Sequence, residues 1–169
     1  MPASRADLMN YLERLGIETT TIEHPPLFTV EQSRALRGEI AGGHTKNLFL
    51  KDKKDSVFLL VAEEEAELDM KGLHRRIGSA RLSFGKPELL AELLGVIPGS
   101  VTPFGVINDR EPRVTVILEA GLMRHERLNF HPLENSATTT IRRDDLLAFL
   151  RATGHDPSVL AAAGSAAPD

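Results

Sequence analysis

The residues with chemistry to offer lie in three stretches far apart in the chain. Lys46 opens the first, Lys46-Asn47-Leu48-Phe49-Leu50-Lys51, which reads as a strand entered from the glycine pair Gly42-Gly43. Side chains alternate along a strand, so Lys46, Leu48 and Leu50 share one face while Asn47, Phe49 and Lys51 share the other. A lysine heading an otherwise apolar row stands either at the wet end of the strand or at the mouth of a pocket, its amine toward a ligand anion. The second stretch runs from Gly95 to Gly105 and holds three glycines and two prolines, a composition that lets a ligand approach the backbone closely. Successive amides such as those of Gly99 and Ser100 can point at a developing negative charge, although an ordinary helix-to-strand turn has the same composition. In the third stretch His131 and Asn135 flank Pro132, which reads equally as a tight turn with a hydrogen-bonding histidine.

Other chemistries find no footing. There is no Gly-x-Ser-x-Gly elbow, no P-loop and no dinucleotide fingerprint. Ser100 has no evident base partner, so it is not assigned as a nucleophile. His125-Glu126 invites a zinc-hydrolase reading, but the next histidine is His131, too late for the spacing that puts two ligands on one helical face. With 0 cysteines, disulfides, thiolate zinc sites and a cysteine nucleophile are removed together. No metal or other cofactor is expected.

A chain of 169 residues, 41% hydrophobic and 26% charged, fits one globular domain. No apolar run approaches the roughly 20 residues of a membrane span, and the N-terminus lacks a signal-peptide hydrophobic region. A cytoplasmic protein without a membrane partner is expected. The net charge of −4 argues against coating duplex DNA, which rests on neutralising many phosphates. A local basic rim remains open, because Lys46, Lys51, Lys53 and Lys54 cluster and Arg75, Arg76, Arg81 and Lys86 follow.

The elements that must position these residues read as follows. Ser4 and Asp7 cap a helix to Leu15, and Ile17–Glu23 is a strand. His24-Pro25-Pro26 breaks regular structure, and His24 receives no catalytic role. Leu27, Phe28 and Val30 either line a small apolar pocket or anchor their loop, and Thr29 with Gln32 caps a short helix. His44–Asp52 and Ser56–Ala62 form a hairpin. Helices are predicted over 68–77, from Lys86 to a stop at Gly95, and over 142–153. Further strands are predicted at 80–84, 104–108, 114–118, 128–130 and 138–141. Strands that follow one another as hairpins among helices predict an α/β (α+β) domain over residues 1–155, with a mixed, mostly antiparallel sheet. A flexible tail is expected over 156–169.

Taken in order, Lys46-Asn47, the run from Gly99 to Gly105, and Phe130-His131-Pro132-Leu133-Glu134-Asn135 resemble the free-standing trans-editing aminoacyl-tRNA deacylases. This is the YbaK/prolyl-tRNA synthetase editing-domain family, and the resemblance covers about Met9 to Gly154. The run from Lys46 to Lys54 looks most like the branch that clears alanine from proline tRNA. The resemblance implies hydrolysis of a mischarged aminoacyl ester, with tRNA and prolyl-tRNA synthetase as partners. It implies a catalytic set of Lys46, Gly99, Ser100 and His131. Substrate contacts would come from Asn47, Leu27, Phe28, Val30, Thr102, Phe130 and Asn135. Lys51, Lys53, Lys54 and Arg81 would hold tRNA. Two alternatives stay open: the same fold deacylating cysteine, serine or threonine tRNA, and a non-catalytic RNA-binding regulator.

Overall fold

The computed structural model describes residues 2–26 and 40–162. Its elements are α1 (Arg5–Arg14), β1 (Thr19–Glu23), β2 (Gly43–Asp52), β3 (Val57–Glu63), α2 (Leu73–Ile77), β4 (Leu82–Phe84) and α3 (Pro87–Leu94). They continue with a 3-10 helix (Pro103–Asn108), β5 (Val114–Glu119), a second 3-10 helix (Ala120–Arg124), β6 (Arg127–Phe130), β7 (Ala137–Arg142), α4 (Arg143–Ala152) and β8 (Ser158–Leu160). The strands make one sheet in the order β1-β7-β6-β2-β3-β5-β8, with β4 joined to β2 off that path. The hairpins β2-β3 and β6-β7 and the pairs β1-β7 and β2-β4 are antiparallel, while β2-β6, β3-β5 and β5-β8 are parallel. The mixed, mostly antiparallel single-domain architecture is as predicted.

Both faces of the central hairpin are covered, which is why Val57-Phe58-Leu59-Leu60-Val61 is an unbroken apolar run. Phe49, Val57, Leu59 and Val61 enter the main core with α1, α3 and α4. Leu50, Phe58 and Leu60 enter a smaller one with Leu73 and Ile117. Phe104 centres the main core, edge-on to Phe130 at 5.8 Å and to Phe149 at 5.5 Å. The helices carry their expected signals. Ser4 and Asp7 form a reciprocal capping box, and Gly95 ends α3 at φ +67°.

Three expectations are corrected. Residues 104–108 are a 3-10 helix and not a strand: Pro103 sets its first φ, and Thr102 Oγ1 accepts the Phe104 N–H at 3.3 Å. A Cβ on Gly105 would lie 2.9 Å from Leu94 Cβ, so this helix presses its backbone on α3. The helix expected over 68–77 shrinks to Leu73–Ile77, with Gly72 outside it and Asp69 Oδ1 accepting the Gly72 N–H at 3.3 Å. The tail expected from residue 156 instead contributes β8, whose Ser158, Val159 and Leu160 pair with Ile117, Leu118 and Glu119. The predicted cap at Thr29 and Gln32, and the pocket residues Leu27, Phe28 and Val30, lie outside the described residues.

Asp52 locks the β2-β3 turn, its Oδ1 accepting the Lys54 and Ser56 amides, each at 2.9 Å, and its Oδ2 the Ala80 amide at 3.1 Å. Burial pushes this carboxyl up, but the amides of Ser56, Ala80 and Lys54 together hold it below the ordinary aspartate range. At the other end of the sheet His155 Nε2 meets Asp109 Oδ2 at 2.8 Å, both side chains fully enclosed, and Asp109 also accepts the Val114 N–H. This pair ties the chain leaving α4 to the start of β5. His155→Ala leaves a buried carboxylate oxygen short of a partner, a loss of about 1–3 kcal/mol. In a domain of this size that lowers the thermal midpoint by about 3–10 °C. Circular dichroism melting of the variant checks this, and an unchanged midpoint would contradict the role.

Candidate active site

β2 is the strand on which the sheet divides. Along one edge it pairs with β3 from Thr45 to Lys51. Along the other it pairs with β6 only at Gly43 and His44, and with β4 only from Leu50 to Asp52. Thr45 still reaches β6 through Oγ1, which donates to the Asn129 carbonyl at 2.8 Å, and from Lys46 to Leu48 no strand among the described residues pairs with this edge. The Phe49 carbonyl accepts the Gly85 N–H on that same edge at 2.9 Å. Alternation of backbone direction then turns the N–H and C=O of Asn47 into the opening. An unpaired edge enclosed within a sheet offers a ligand a ready row of donors and acceptors.

Lys46 and Asn47 straddle this opening from opposite faces of β2. Lys46 shares its face with Leu48 and Leu50, stands opposite Ala62, and donates from Nζ to the Ala66 carbonyl. The structure therefore gives its amine a loop carbonyl as partner. Asn47 stands opposite Val61 on the main-core face, and its Oδ1 is buried without a hydrogen-bond partner among the described residues. The mouth of the strand is braced from behind. A Cβ on Gly43 would fall 2.7 Å from the His125 ring, and His125 Nε2 meets Glu63 Oε2 at 2.8 Å. Burial raises the Glu63 carboxyl, but hydrogen bonds from His125 and Arg124 outweigh it and leave it below its ordinary range.

β6 runs parallel to β2 with Asn129 level with His44, so the chain past Phe130 turns beside the opening. In that turn Leu133 holds φ +71°, an uncommon conformation for a residue with a side chain. His131 Nδ1 lies 3.1 Å from the Ala137 carbonyl, so Nδ1 carries the proton and the neutral ring keeps a lone pair on Nε2. Burial depresses its pKa below the ordinary histidine value. The Ala137 bond opposes that, and neighbouring His24, its ring centroid 6.5 Å away, adds to the depression. Asn135 Nδ2 is, among the described residues, the second buried side-chain polar atom without a partner. It is also the atom that a Cβ on Gly99 would face, at 3.7 Å.

The glycine loop is a type II turn over Ile97-Pro98-Gly99-Ser100, with proline and a glycine at φ +95° in the central positions. Its closing bond joins the Ser100 N–H to the Ile97 carbonyl at 3.0 Å. Ser100's amide is thus engaged within the turn, and its side chain is buried. Of the two amides expected to face a ligand, that of Gly99 alone bonds nothing among the described residues. The structure brings Gly99 and Asn135 together, with Asn47 and Phe130 on the same side of the sheet. Thr102 serves as a cap and Phe130 as a core wall, both buried. Lys51 pairs with Asp55 at 3.1 Å, and Lys53, Lys54 and Arg81 are exposed. These four lie toward the far end of β2, Lys51 about 17 Å along the strand from Lys46.

His24, given no catalytic role from the sequence, bonds its own loop at the Pro25 carbonyl through Nδ1 at 2.9 Å and meets Thr138 Oγ1 through Nε2 at 2.8 Å beside His131. A groove of about 570 Å³ on the β1, β7 and β6 side of the sheet is lined by Thr19, Thr20, Ile40, Arg127 and Arg142. It contains none of the unpartnered amides, so the opening beside β2 is the better candidate. Among the described residues no three His, Asp or Glu side chains gather as metal ligands, and no helix is long and apolar enough to cross a membrane.

Comparison with known proteins converges on one family. The aminoacyl-tRNA editing domain profile matches residues 24–149. The chain is 44% identical over 158 residues to the zebrafish (Danio rerio) prolyl-tRNA synthetase associated domain-containing protein 1, covering 92% of this chain and 86% of the relative. It is 37% identical over 145 residues to the prolyl-tRNA editing protein ProX of Acetoanaerobium sticklandii, covering 85% and 88%. A crystal structure solved as a candidate trans-editing enzyme for prolyl tRNA synthetase superposes with a TM-score of 0.72 at 21% identity, covering 98% of this chain and 100% of that one, which bears on the fold. With a profile spanning most of its length and relatives well above 30% identity along nearly all of it, the chain belongs to the aminoacyl-tRNA editing domain family.

Proposed function

We propose that this protein hydrolyses, in trans, the ester between a wrongly attached amino acid and the 3′ end of a tRNA. The substrate is alanine on proline tRNA, and the setting is the cytoplasm alongside prolyl-tRNA synthetase. The observation that carries the proposal is the pair of buried amide atoms without partners, Asn47 Oδ1 and Asn135 Nδ2, one at the open edge of β2 and one facing Gly99. An acceptor and a donor left unsatisfied inside a protein are costly unless a ligand completes them.

An aminoacyl ester presents complementary groups. Its carbonyl oxygen takes hydrogen bonds from the Gly99 N–H and Asn135 Nδ2. A hydroxyl of the terminal ribose, or the α-ammonium, donates to Asn47 Oδ1. Water adds to the carbonyl carbon and charge collects on the oxygen those two donors face. Fixed dipoles stabilise that charge without reorganising. Collapse breaks the bond to the ribose oxygen, which leaves with a proton, and the products are the free amino acid and the tRNA. His131 Nε2 is an acceptor available to orient water or the amino group, and its bulk limits the room for a side chain. Lys46 acts from the opposite face as a compact charge for the phosphate or ribose of the terminal nucleotide, exchanging its hold on Ala66 for the ligand. A site that admits alanine and rejects the proline ring is needed because a synthetase pocket shaped for proline cannot strongly exclude a smaller side chain.

Turnover of purified alanyl-tRNA(Pro), set against cysteinyl, seryl and threonyl tRNAs, tests the assignment. Fastest release of alanine is expected, and no turnover of any of them would leave an RNA-binding protein without catalysis. Asn135→Ala should cost about a hundredfold or more in the saturated rate, the scale of losing an oxyanion donor. Activity within a few-fold of wild type would remove Asn135 from the reaction. The depressed pKa of His131 sets the acid side of the pH profile. A neutral Nε2 persists below the ordinary histidine value of about 6.5, so the acid limb should fall under that pH. His131→Ala should abolish the limb, and a wild-type limb at or above the ordinary value would contradict the neutral assignment.

A further inference from the structure

Phe84 is the exposed aromatic side chain among the described residues, with 64% of its surface open. Packing does not explain it, since the neighbouring Leu82 already reaches the smaller core. Its placement is well defined. In the β2-β4 register Phe84 lies opposite Leu50, so it stands on the face of β2 that carries Lys46 and Leu48. Gly85 then donates its N–H to the Phe49 carbonyl, and a Cβ there would run into the Phe49 ring. The chain is pinned flat against β2 immediately after Phe84, at the rim where β4 closes the opening. Lys46 and Phe84 are separated by about 13 Å along the strand.

The charged residues within three positions of Phe84 are both basic, in a chain of net charge −4. Exposed Arg81 and Lys86 flank it in sequence, whereas Lys51, opposite Ser83, lies on the other face of the sheet. The nearby acids are largely committed elsewhere. Asp52 turns inward to three backbone amides and Asp55 is tied to Lys51, with Glu88 in the first turn of α3 the remaining acid close in sequence. An open aromatic ring set among cations is the combination that holds unpaired nucleotides, the base stacking on the ring and the phosphates meeting the charges.

We propose that Phe84 is a stacking platform for an unpaired base of the tRNA 3′ end, upstream of the terminal adenosine, with Arg81 and Lys86 taking the adjoining phosphates. The assignment rests on the reading of the opening beside β2 as the ester site. It accounts for the bare ring, for its sharing a face with Lys46, and for a basic rim at the far end of β2 from the chemistry.

The chain has 0 tryptophans, so Phe84→Trp creates a sole emission reporter at this position. Titration with single-stranded RNA ending in CCA should quench that emission, and a blunt RNA duplex of equal length should quench it far less. Phe84→Ala and Phe84→Leu should both weaken binding of the single strand by about tenfold, with the tryptophan variant close to wild type. Because the ring is exposed, all three should melt within a degree or two of wild type. On alanyl-tRNA(Pro), Phe84→Ala should raise KM with little change in kcat. Equal quenching by duplex, alanine-variant affinity within twofold, or wild-type behaviour of the leucine variant would each overturn the platform. A change of oligomeric mass in Phe84→Ala with RNA affinity intact would also overturn it, marking a protein interface instead. The wild-type turnover assay is scored separately: absence of hydrolysis there defeats the proposed function, while the quenching titration still decides the platform.

Discussion

Each backbone N–H and C=O inside a sheet needs a partner, and among the described residues β2 meets that need in full along one edge only. β3 satisfies one side throughout, whereas β6 and β4 each take a few residues of the other and, among the described residues, leave Lys46–Leu48 between them. The rest of the molecule is arranged around that interruption. The β2-β3 turn, clamped by Asp52, reaches across to Ala80 and so sets where β4 begins. His125 against Gly43 sets where β2 begins. Phe104, between Phe130 and Phe149, joins the end of β6 to the 3-10 helix that follows the glycine loop. Loop and turn therefore meet beside the opening because the core beneath them is shared.

The polar groups at the opening follow from this placement. Close to the sheet a full charge would be expensive to enclose, and the structure offers neutral dipoles there instead: the Gly99 amide, the carboxamides of Asn47 and Asn135, and a neutral imidazole. Charged residues stand farther out, with Lys46 on the opposite face and Lys51, Lys53, Lys54 and Arg81 toward the distant end of β2. An ester needs donors for its oxygen, while a polyanionic strand needs cations spaced along it, and the two demands are separated in space. An acidic chain can then bind tRNA through few contacts, which leaves selectivity to the site where the aminoacyl group is held.

Much of this could be read from the sequence where local rules decide. The Ser4 and Asp7 capping box, the Gly95 stop and the two faces of Lys46-Asn47-Leu48-Phe49-Leu50 each follow from a few adjacent residues. Pro98-Gly99 is itself a type II turn signal, yet the consequence that the turn engages Ser100's amide appears only with the hydrogen bond in view. The 3-10 helix over Pro103–Asn108 hid behind an apolar run that reads as a strand until the Thr102 cap and the close approach of Gly105 to Leu94 are seen. β8 is a three-residue strand that depends on β5, a partner about forty residues away in the sequence, so nothing local announces it. The opening itself is a property of three pairings made at long range. Sequence could name Lys46 and Asn47 but could not say that no strand among the described residues pairs with β2 beside them.

The central claim, that the aminoacyl end enters the unpaired edge of β2, is tested most directly by nuclear magnetic resonance. The ligand is a stable amide analogue, alanine joined to 3′-amino-3′-deoxyadenosine, titrated into the isotopically labelled protein. The account predicts that the largest shifts fall on the backbone amides of Asn47 and Gly99 and on the side-chain amide of Asn135. Shifts centred instead on Thr19, Thr20 and Arg127, with those three amides unmoved, would contradict it.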